Sequence, residues 1–177
     1  GCVESVTKPL IISPYYNLAT GDYFEDFNTG AANWHSDQPA NSLPDSIWTH
    51  EFSIAGNQIN HNDGAWVTLG NDIYKQNLQA WVYSPCYDFT ASSRPMIAFD
   101  LWRDVLASID GVVLEFYNNS TRQWELIGNI GEGINWYQDF TLSRPGNQTV
   151  DVTNFPIGWT GRSGQFESAR LRLDQFK

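Results

Sequence analysis

Short segments in which apolar and polar residues alternate recur along the chain, and the periodicity of a helix is nearly absent. Segments 96–102, 111–117 and 168–173 place apolar residues at every second position, which is the pattern of a strand buried on one face. In the last of these segments, Arg170 and Arg172 are expected to point outward. Gly, Pro, Asn, Asp and Ser separate the segments, as they do where strands are joined by turns. The sequence therefore predicts a fold made of strands.

The number and order of these segments predict how the strands are arranged. About eight or nine strand candidates follow one another without a helix that could carry a crossover between parallel neighbours. We therefore predict an all-β fold, an antiparallel two-sheet sandwich with jelly-roll topology. Residues 22–177 are expected to form this single module, and residues 1–21 an N-terminal arm or linker. Segment 128–165 lacks alternation, and such a long irregular stretch is commonly functional or holds its own small structure.

Composition narrows the classes of partner. The 177 residues include ten Lys and Arg against twenty Asp and Glu, which gives a formal charge of −10 at pH 7. Because nucleic acids and anionic membrane surfaces would be repelled, we expect neither as a partner. No apolar run approaches the roughly 18 residues that cross a bilayer, so no membrane span is expected. The apolar fraction of 41% is enough for a packed core, which excludes a disordered chain.

Cys2 and Cys86 are the two cysteines, and their separation fits no paired metal or redox motif. Three interpretations stay open. In the first, the two thiols form a disulfide, which suits an oxidising compartment. In the second they remain unlinked, with Cys86 buried as a small apolar residue. In the third, Cys2 carries a lipid as the acylated first residue of a lipoprotein.

Catalytic motifs are missing from the sequence. There is no GxSxG elbow, phosphate-binding loop, dinucleotide fingerprint or HExxH zinc motif, and no strand carries the alternating acids of polysaccharide hydrolases. Glu25 and Asp26 are adjacent, so on a strand their side chains would point to opposite faces. We therefore predict that the protein is not an enzyme. The alternative is a polysaccharide hydrolase or lyase in which carboxylates such as Glu115, Glu125 and Glu167 converge from different strands.

Turns rich in Asp and Asn carry the ligands that calcium prefers, because this cation is bound by carboxylate, amide and carbonyl oxygens. The candidate metal ligands are Glu25, Asp26, Asp63 and Asp88. The alternative is that these residues only form turns, which side-chain hydrogen bonds to the neighbouring backbone explain without a metal. A calcium ion held by these residues would be structural.

Eight tryptophans suggest a carbohydrate-binding protein, because sugars pack the apolar faces of their rings on exposed indole and phenol groups. Four tryptophans that fall within strand patterns are expected to be at least half buried: Trp66, Trp81, Trp102 and Trp124. Trp136, Tyr137 and Trp159 lie instead in the irregular segment 128–165, where we expect more exposure. These three aromatic residues are therefore the predicted ligand-binding residues.

Several motifs follow one another in a fixed order, from an acidic pair near the N-terminus to an Ala-Arg segment near the C-terminus. They are Tyr-Phe-Glu-Asp-Phe-Asn at 23–28, Asn-Trp at 33–34, Trp-Val-Tyr-Ser-Pro-Cys-Tyr-Asp at 81–88, strand patterns at 95–100 and 110–116, Asn-Trp-Tyr at 135–137, Gly-Trp-Thr-Gly-Arg-Ser-Gly at 158–164 and Ser-Ala-Arg at 168–170. As a set they resemble the MAM-like jelly-roll modules, which are related to the cleaved-adhesin domains of large secreted and cell-surface proteins of bacteria.

The resemblance implies a non-catalytic extracellular β-sandwich, an adhesion or binding module of a larger protein that contacts a glycan or another surface protein. The alternative is an accessory carbohydrate-binding module or the catalytic domain of a polysaccharide-degrading enzyme. The resemblance also implies that Glu25 and Asp26 contribute to a calcium site. The family usually continues with two further strands, whereas this chain stops at Lys177, so either it is a fragment or it closes its sandwich differently. An unpaired sheet edge near the C-terminus would then be able to recruit a strand from a neighbouring chain.

Overall fold

The computed structural model describes residues 13–19, 21–37, 48–52, 64–68, 80–138 and 157–176. These residues form twelve short strands and one 3₁₀ turn at Asp174–Phe176, and they contain no α-helix. The strands are β1 (Tyr15–Asn17), β2 (His35–Asp37), β3 (Trp48–Glu51), β4 (Ala65–Thr68), β5 (Trp81–Tyr83), β6 (Cys86–Asp88), β7 (Met96–Leu101), β8 (Gly111–Val112), β9 (Glu115–Asn118), β10 (Gln123–Leu126), β11 (Trp159–Thr160) and β12 (Glu167–Arg172). The predicted all-β class is confirmed for the described part of the chain.

The strands pair two by two, mostly in antiparallel ladders. Five pairs are antiparallel: β2 with β5, β3 with β4, β7 with β12, β8 with β11 and β9 with β10. The sixth pair, β1 with β6, is parallel, and Tyr15 lies opposite Cys86. This pair differs from the antiparallel prediction, which assumed that parallel strands need a helical crossover. Here the described part of the chain between the two strands includes β2 to β5.

The longest ladder joins β7 and β12 and carries one wall of the core. Ala169 and Leu171 on β12 are buried, and Ile97 and Phe99 on β7 pack against the same cluster. The residues between them point outward, because successive side chains on a strand alternate between faces. Arg170, Arg172, Ala98 and Asp100 are exposed, in agreement with the predicted outward side of the two strands. The alternation in these two segments therefore predicted the buried face correctly.

Segment 111–117 forms two strands, β8 and β9, instead of the single predicted strand. The Tyr137 hydroxyl donates to the Leu114 carbonyl oxygen at 3.1 Å and accepts from the Leu114 N–H at 3.2 Å. The same carbonyl also accepts from the Ile127 N–H at 2.9 Å. Because a side-chain hydroxyl occupies both backbone groups of Leu114, the ladder is interrupted there. The two strands consequently pair with different partners, β11 and β10.

The edge of β12 that faces away from β7 is partly covered by segment 133–135. Ile134 and Arg170 exchange two backbone hydrogen bonds of 2.9 Å, and Asn135 Nδ2 donates to the Ser168 carbonyl oxygen at 2.9 Å. Gly133 permits this close approach, because its φ is +68° and a Cβ atom there would collide with the Arg170 carbonyl oxygen. The backbone of β12 is therefore covered at Ser168 and Arg170, and the pairing of a C-terminal edge with a neighbouring chain stays a prediction.

Cys86 is exposed on β6 and its thiol is free, which differs from the buried position given to it in the second of the three interpretations. Cys2 lies outside the described residues, as does most of the predicted arm 1–21, so their roles stay predictions. Within the described residues, no helix has the length and apolar character needed to cross a membrane.

Candidate ligand-binding surface

The three aromatic residues predicted to contact a ligand lie in the core. Trp136 is 2% exposed, Tyr137 3% and Trp159 2%. Their rings contact one another, with centroids 4.5 Å apart for Tyr137 and Trp159 and 5.0 Å apart for Trp136 and Trp159. The expectation that these rings are exposed is therefore wrong. A sugar needs an open ring face for stacking, and none of these three residues offers one in this structure.

Hydrogen bonds explain how aromatic residues from an irregular segment can be buried so completely. Trp136 Nε1 donates to the Ile127 carbonyl oxygen at 2.9 Å, and Trp159 Nε1 donates to the Asn135 carbonyl oxygen at 2.7 Å. Burial raises the pKa of the Tyr137 hydroxyl, which keeps its proton to donate to Leu114. Because each polar atom has a backbone partner, the rings can enter the core without an unpaired donor. The described part of the irregular segment therefore contributes three rings to the core.

Exposed aromatic rings lie on the hairpin formed by β9 and β10. Trp124 is 50% exposed and Tyr117 is 46% exposed, and the two residues are directly opposite in the ladder. Their ring centroids are 5.5 Å apart, and the ring planes meet at 67°. Tyr83 contacts Trp124 with centroids 5.7 Å apart, and His35 stacks on Tyr83 at 5.1 Å. We call these four residues the aromatic surface.

The other face of the same hairpin borders an open pocket of about 440 Å³. Its polar lining combines two carboxylates with three amides: Glu125, Glu132, Asn118, Asn129 and Gln175. Its apolar lining includes Phe116 and Phe176, whose rings meet edge to face with centroids 4.9 Å apart. We call this cavity the hairpin pocket. The two surfaces lie on opposite faces because neighbouring residues on a strand alternate, so that Phe116 and Tyr117 point apart.

Neutral donors hold the Glu125 carboxylate in place. Asn118 Nδ2 lies 3.0 Å from both of its oxygens, and the Thr121 hydroxyl donates to Oε1 at 2.6 Å. The hydrogen bonds from Thr121 and Asn118 lower the pKa of Glu125, so it stays ionised to lower pH than an ordinary glutamate. On the rim of the pocket, the Asn129 N–H donates to Glu132 Oε2 at 3.0 Å. Neither carboxylate forms an ion pair with a described basic residue.

The predicted metal ligands Glu25 and Asp26 each support a local turn. Glu25 Oε1 accepts from the Phe27 N–H at 2.8 Å, and Asp26 Oδ1 accepts from the Asn28 N–H at 2.9 Å. Asn28 Oδ1 in turn accepts from the Gly64 N–H at 2.8 Å. The turn at 25–28 is thus fastened to the beginning of β4.

Of the other two predicted ligands, Asp88 does not join this turn. Asp88 is bound elsewhere, because it accepts hydrogen bonds from the Tyr15 hydroxyl at 2.6 Å and from the Thr90 hydroxyl at 2.6 Å. These bonds, with the Thr90 side chain contributing most, lower the pKa of Asp88 to about 2. Asp63 lies outside the described residues. Across the described ranges, no three Asp, Glu, His or Cys side chains form a group that could hold a metal ion.

The carboxylates considered for a hydrolase occupy three different environments. Glu115 lies on the same face of the hairpin as Tyr117, and burial raises its pKa. Glu125 lies on the opposite face, in the hairpin pocket. Glu167 is paired with the buried guanidinium of Arg103 at 2.7 Å. The structure does not bring these three carboxylates to one point.

No protein-family model, curated protein or solved structure matches this chain. The features of the described structure that bear on function are the all-β fold and the two surfaces of the hairpin. The sequence indicated part of the aromatic surface, because alternation places Tyr117 on the face opposite to Val112, Leu114 and Phe116. The exposure of Trp124 was missed, since a tryptophan between two polar residues on a strand fits a buried and an open face equally well.

Proposed function

We propose that this protein is a non-catalytic binding module that acts outside the cell and contacts a glycan through the aromatic surface. The observation that carries the proposal is the exposed pair Tyr117 and Trp124 on one face of a hairpin. Sugars present flat C–H faces that pack on aromatic rings, and side-by-side exposed rings are an unusual feature of a surface without this role.

The geometry of the pair supports one saccharide unit at a time. Because the two ring planes meet at 67°, they form a corner, in which a sugar can stack on one ring and touch the edge of the other. The cross-strand pairing holds both rings in register, and Tyr83 supports Trp124 from the neighbouring β5. A platform that is ordered before binding loses less conformational entropy when the ligand arrives.

The architecture we propose for this module is a two-sheet sandwich with jelly-roll topology, of the MAM-like type. The all-β fold, the predominance of antiparallel pairs and the ordered motifs of the sequence support it. The same resemblance supports an adhesion role within a larger secreted or cell-surface protein. If a surface protein is the natural partner instead of a glycan, the aromatic surface remains the contact that we expect to be used.

We also propose that calcium binds beside the turn at 25–28. Glu25 and Asp26 each use one carboxylate oxygen for the turn, which leaves the second oxygen for a cation. A bound ion would be seen as an increase in the melting temperature with calcium that a chelator reverses. The double substitution Glu25→Gln and Asp26→Asn should abolish this increase, whereas Asp100→Asn, at an exposed position on β7, should keep it. Equal calcium responses in all variants would contradict the site.

The experiment that tests the proposed function is a glycan-binding screen followed by calorimetry with Trp124→Ala. We expect the affinity of the best glycan to fall about tenfold, because a stacking surface is lost. Phe24→Ala is the matched control, since Phe24 is an exposed aromatic residue outside the aromatic surface. The glycan affinity of Phe24→Ala should equal that of the unmodified protein. The affinity of Tyr117→Ala should fall as that of Trp124→Ala does.

Two results would contradict the proposal. If Trp124→Ala binds the selected glycan as tightly as the unmodified protein, the aromatic surface is not the site. If the unmodified protein releases new reducing ends from a polysaccharide, and Glu125→Gln stops the release, the module is the catalytic alternative predicted from the sequence.

A further inference from the structure

The hairpin pocket has a lining that the aromatic surface does not share. It is concave and open to solvent, and its volume of about 440 Å³ lies within the range of ligand sites. One side is apolar, where the Phe116 and Phe176 rings meet edge to face. The same lining also carries the carboxylates of Glu132 and of Glu125, which is the cross-strand partner of Phe116. A ligand that fills the pocket must therefore present an apolar part and a polar part a short distance apart.

Charge decides which polar part fits. Among the residues that the structure describes, the lining contains two carboxylates and no basic residue, and no Lys, Arg or His side chain of that part of the chain forms an ion pair with either carboxylate. The donors around Glu125 are a neutral amide and a neutral hydroxyl, so its negative charge is oriented but not compensated. An anionic ligand would be repelled by this lining, whereas a cationic group would be attracted.

We propose that the hairpin pocket binds an alkylammonium group, and that its occupant is an exposed lysine side chain of a protein partner. The proposal goes beyond the glycan-binding function, since it concerns the other face of the hairpin and a different ligand chemistry. The four-carbon stem of lysine matches the apolar wall, and its ammonium group supplies the charge that the carboxylates lack.

Lysine fits better than arginine because of the hydrogen bonds already made by Glu125. Asn118 contacts both carboxylate oxygens, and Thr121 takes a second position on Oε1. This occupation leaves little room for the two parallel hydrogen bonds by which a guanidinium group grips a carboxylate. An ammonium group needs only single acceptor positions, which Glu132 and the amide oxygens of the lining can add.

The experiment is an NMR titration of the ¹⁵N-labelled chain with Nα-acetyl-lysine methylamide. We expect the backbone signals of Gly128, Asn129 and Glu132 to shift in a saturable way. Glu132→Gln should weaken binding about fivefold, because one charge-assisted contact at the rim is lost. Asp100→Asn removes one exposed carboxylate that is not in the pocket, and it should change the affinity less than about twofold. Trp124→Ala should leave lysine binding unchanged, which separates this site from the proposed glycan site.

Binding measurements with three further probes can contradict the proposal. The same peptide with an acetylated Nε has the same stem without the charge, and binding as tight as that of the free amine would overturn the ammonium assignment. Tighter binding of the arginine analogue would overturn the choice of lysine. Calcium that shifts the same signals and displaces the lysine probe would make the pocket a metal site instead. Glu125→Gln provides a second variant, whose binding should fall at least as much as that of Glu132→Gln.

Discussion

The polar atoms of Trp136, Tyr137 and Trp159 are each bonded to a backbone group, which allows these three rings to lie in the core. Trp136, Tyr137 and Trp159 come from segments without strand pattern, yet their nitrogen and oxygen atoms reach carbonyl oxygens at 2.7 to 3.1 Å. Sequence alternation does not report on such bonds, because the partners are backbone atoms of residues far along the chain. This is why the exposure expected for these residues was wrong.

Removing the Tyr137 hydroxyl should destabilise the fold. In Tyr137→Phe, the Leu114 N–H loses the acceptor it contacts at 3.2 Å, in a position that is closed to water. We expect the free energy of unfolding, measured with urea, to fall by about 1–3 kcal/mol. Tyr117→Phe removes the hydroxyl of a half-exposed tyrosine and should stay within about 0.5 kcal/mol of the unmodified protein. Equal effects of the two substitutions would show that the bond to Leu114 contributes nothing.

The carboxyl group of Asp88 should titrate at unusually low pH. Hydrogen bonds from the Thr90 side chain, from Tyr15 and from the Thr90 backbone lower its pKa to about 2. A carboxyl with a lowered pKa contributes stability above its unfolded pKa of about 4, and the contribution is lost as the pH falls through the folded value. Thr90→Val should raise the pKa of Asp88 toward its ordinary range, as measured from the carboxyl carbon shift.

Thr121→Val is the matched control for that titration. It removes the Thr121 hydroxyl that donates to Glu125, so the pKa of Glu125 should rise while that of Asp88 keeps its low value. A carboxyl shift of Asp88 that is the same in all three proteins would contradict the assigned cause.

At the scale of elements, alternation predicted which side of a strand is buried but not which strand it pairs with. For β7 and β12 the inner and outer residues are as predicted. The two strands are neighbours only because the chain returns after more than sixty residues, and nothing in either segment encodes that return. Segment 111–117 failed as one strand for a related reason, since Tyr137 supplies hydrogen bonds at Leu114 that a strand would otherwise make.

Gly133, in the segment that covers β12, and the nearby Gly131 should differ in their tolerance of alanine. Gly131 and Gly133 both have positive φ, at +82° and +68°, so alanine is strained at either position. A Cβ atom at Gly131 meets nothing within 4 Å, and we expect Gly131→Ala to cost about 1–2 kcal/mol. In Gly133→Ala the new atom would collide with the Arg170 carbonyl oxygen, so the loss should be about 1–3 kcal/mol larger.

Hydrogen exchange provides the local measurement for this pair. The amide of Arg170, which is bonded to Ile134, should lose protection in Gly133→Ala and keep it in Gly131→Ala. Identical protection in the two variants would contradict the contact between Gly133 and β12.

At the scale of the molecule, one buried cation connects elements that are distant in sequence. Arg103 lies two residues after the end of β7 and is 7% exposed. Its Nε donates to the Thr160 carbonyl oxygen of β11 at 2.8 Å, and its terminal nitrogen donates to Glu167 of β12 at 2.7 Å. The all-β class followed from composition and alternation, but this junction did not, because an arginine just beyond a strand pattern is ordinarily expected to be exposed.

Breaking the junction should destabilise the whole fold. In Glu167→Ala the buried guanidinium loses its counter-ion, and we expect the free energy of unfolding to fall by about 2–4 kcal/mol. Asp104→Ala is the matched control, because Asp104 pairs with Arg162 at 3.4 Å and both side chains are about half exposed. Its effect should be at most about 0.5 kcal/mol, and chemical denaturation measures both variants. A loss in Asp104→Ala as large as that in Glu167→Ala would contradict the role of burial.

The hairpin of β9 and β10 carries rings on one side and carboxylates on the other, within two strands of four residues each. A ligand bound on either face would reduce the fluctuations of the same short hairpin. The second ligand would then bind to a hairpin that has already lost part of its conformational entropy. Because the coupling between two binding sites is reciprocal, we expect each ligand to bind with higher affinity when the other is present.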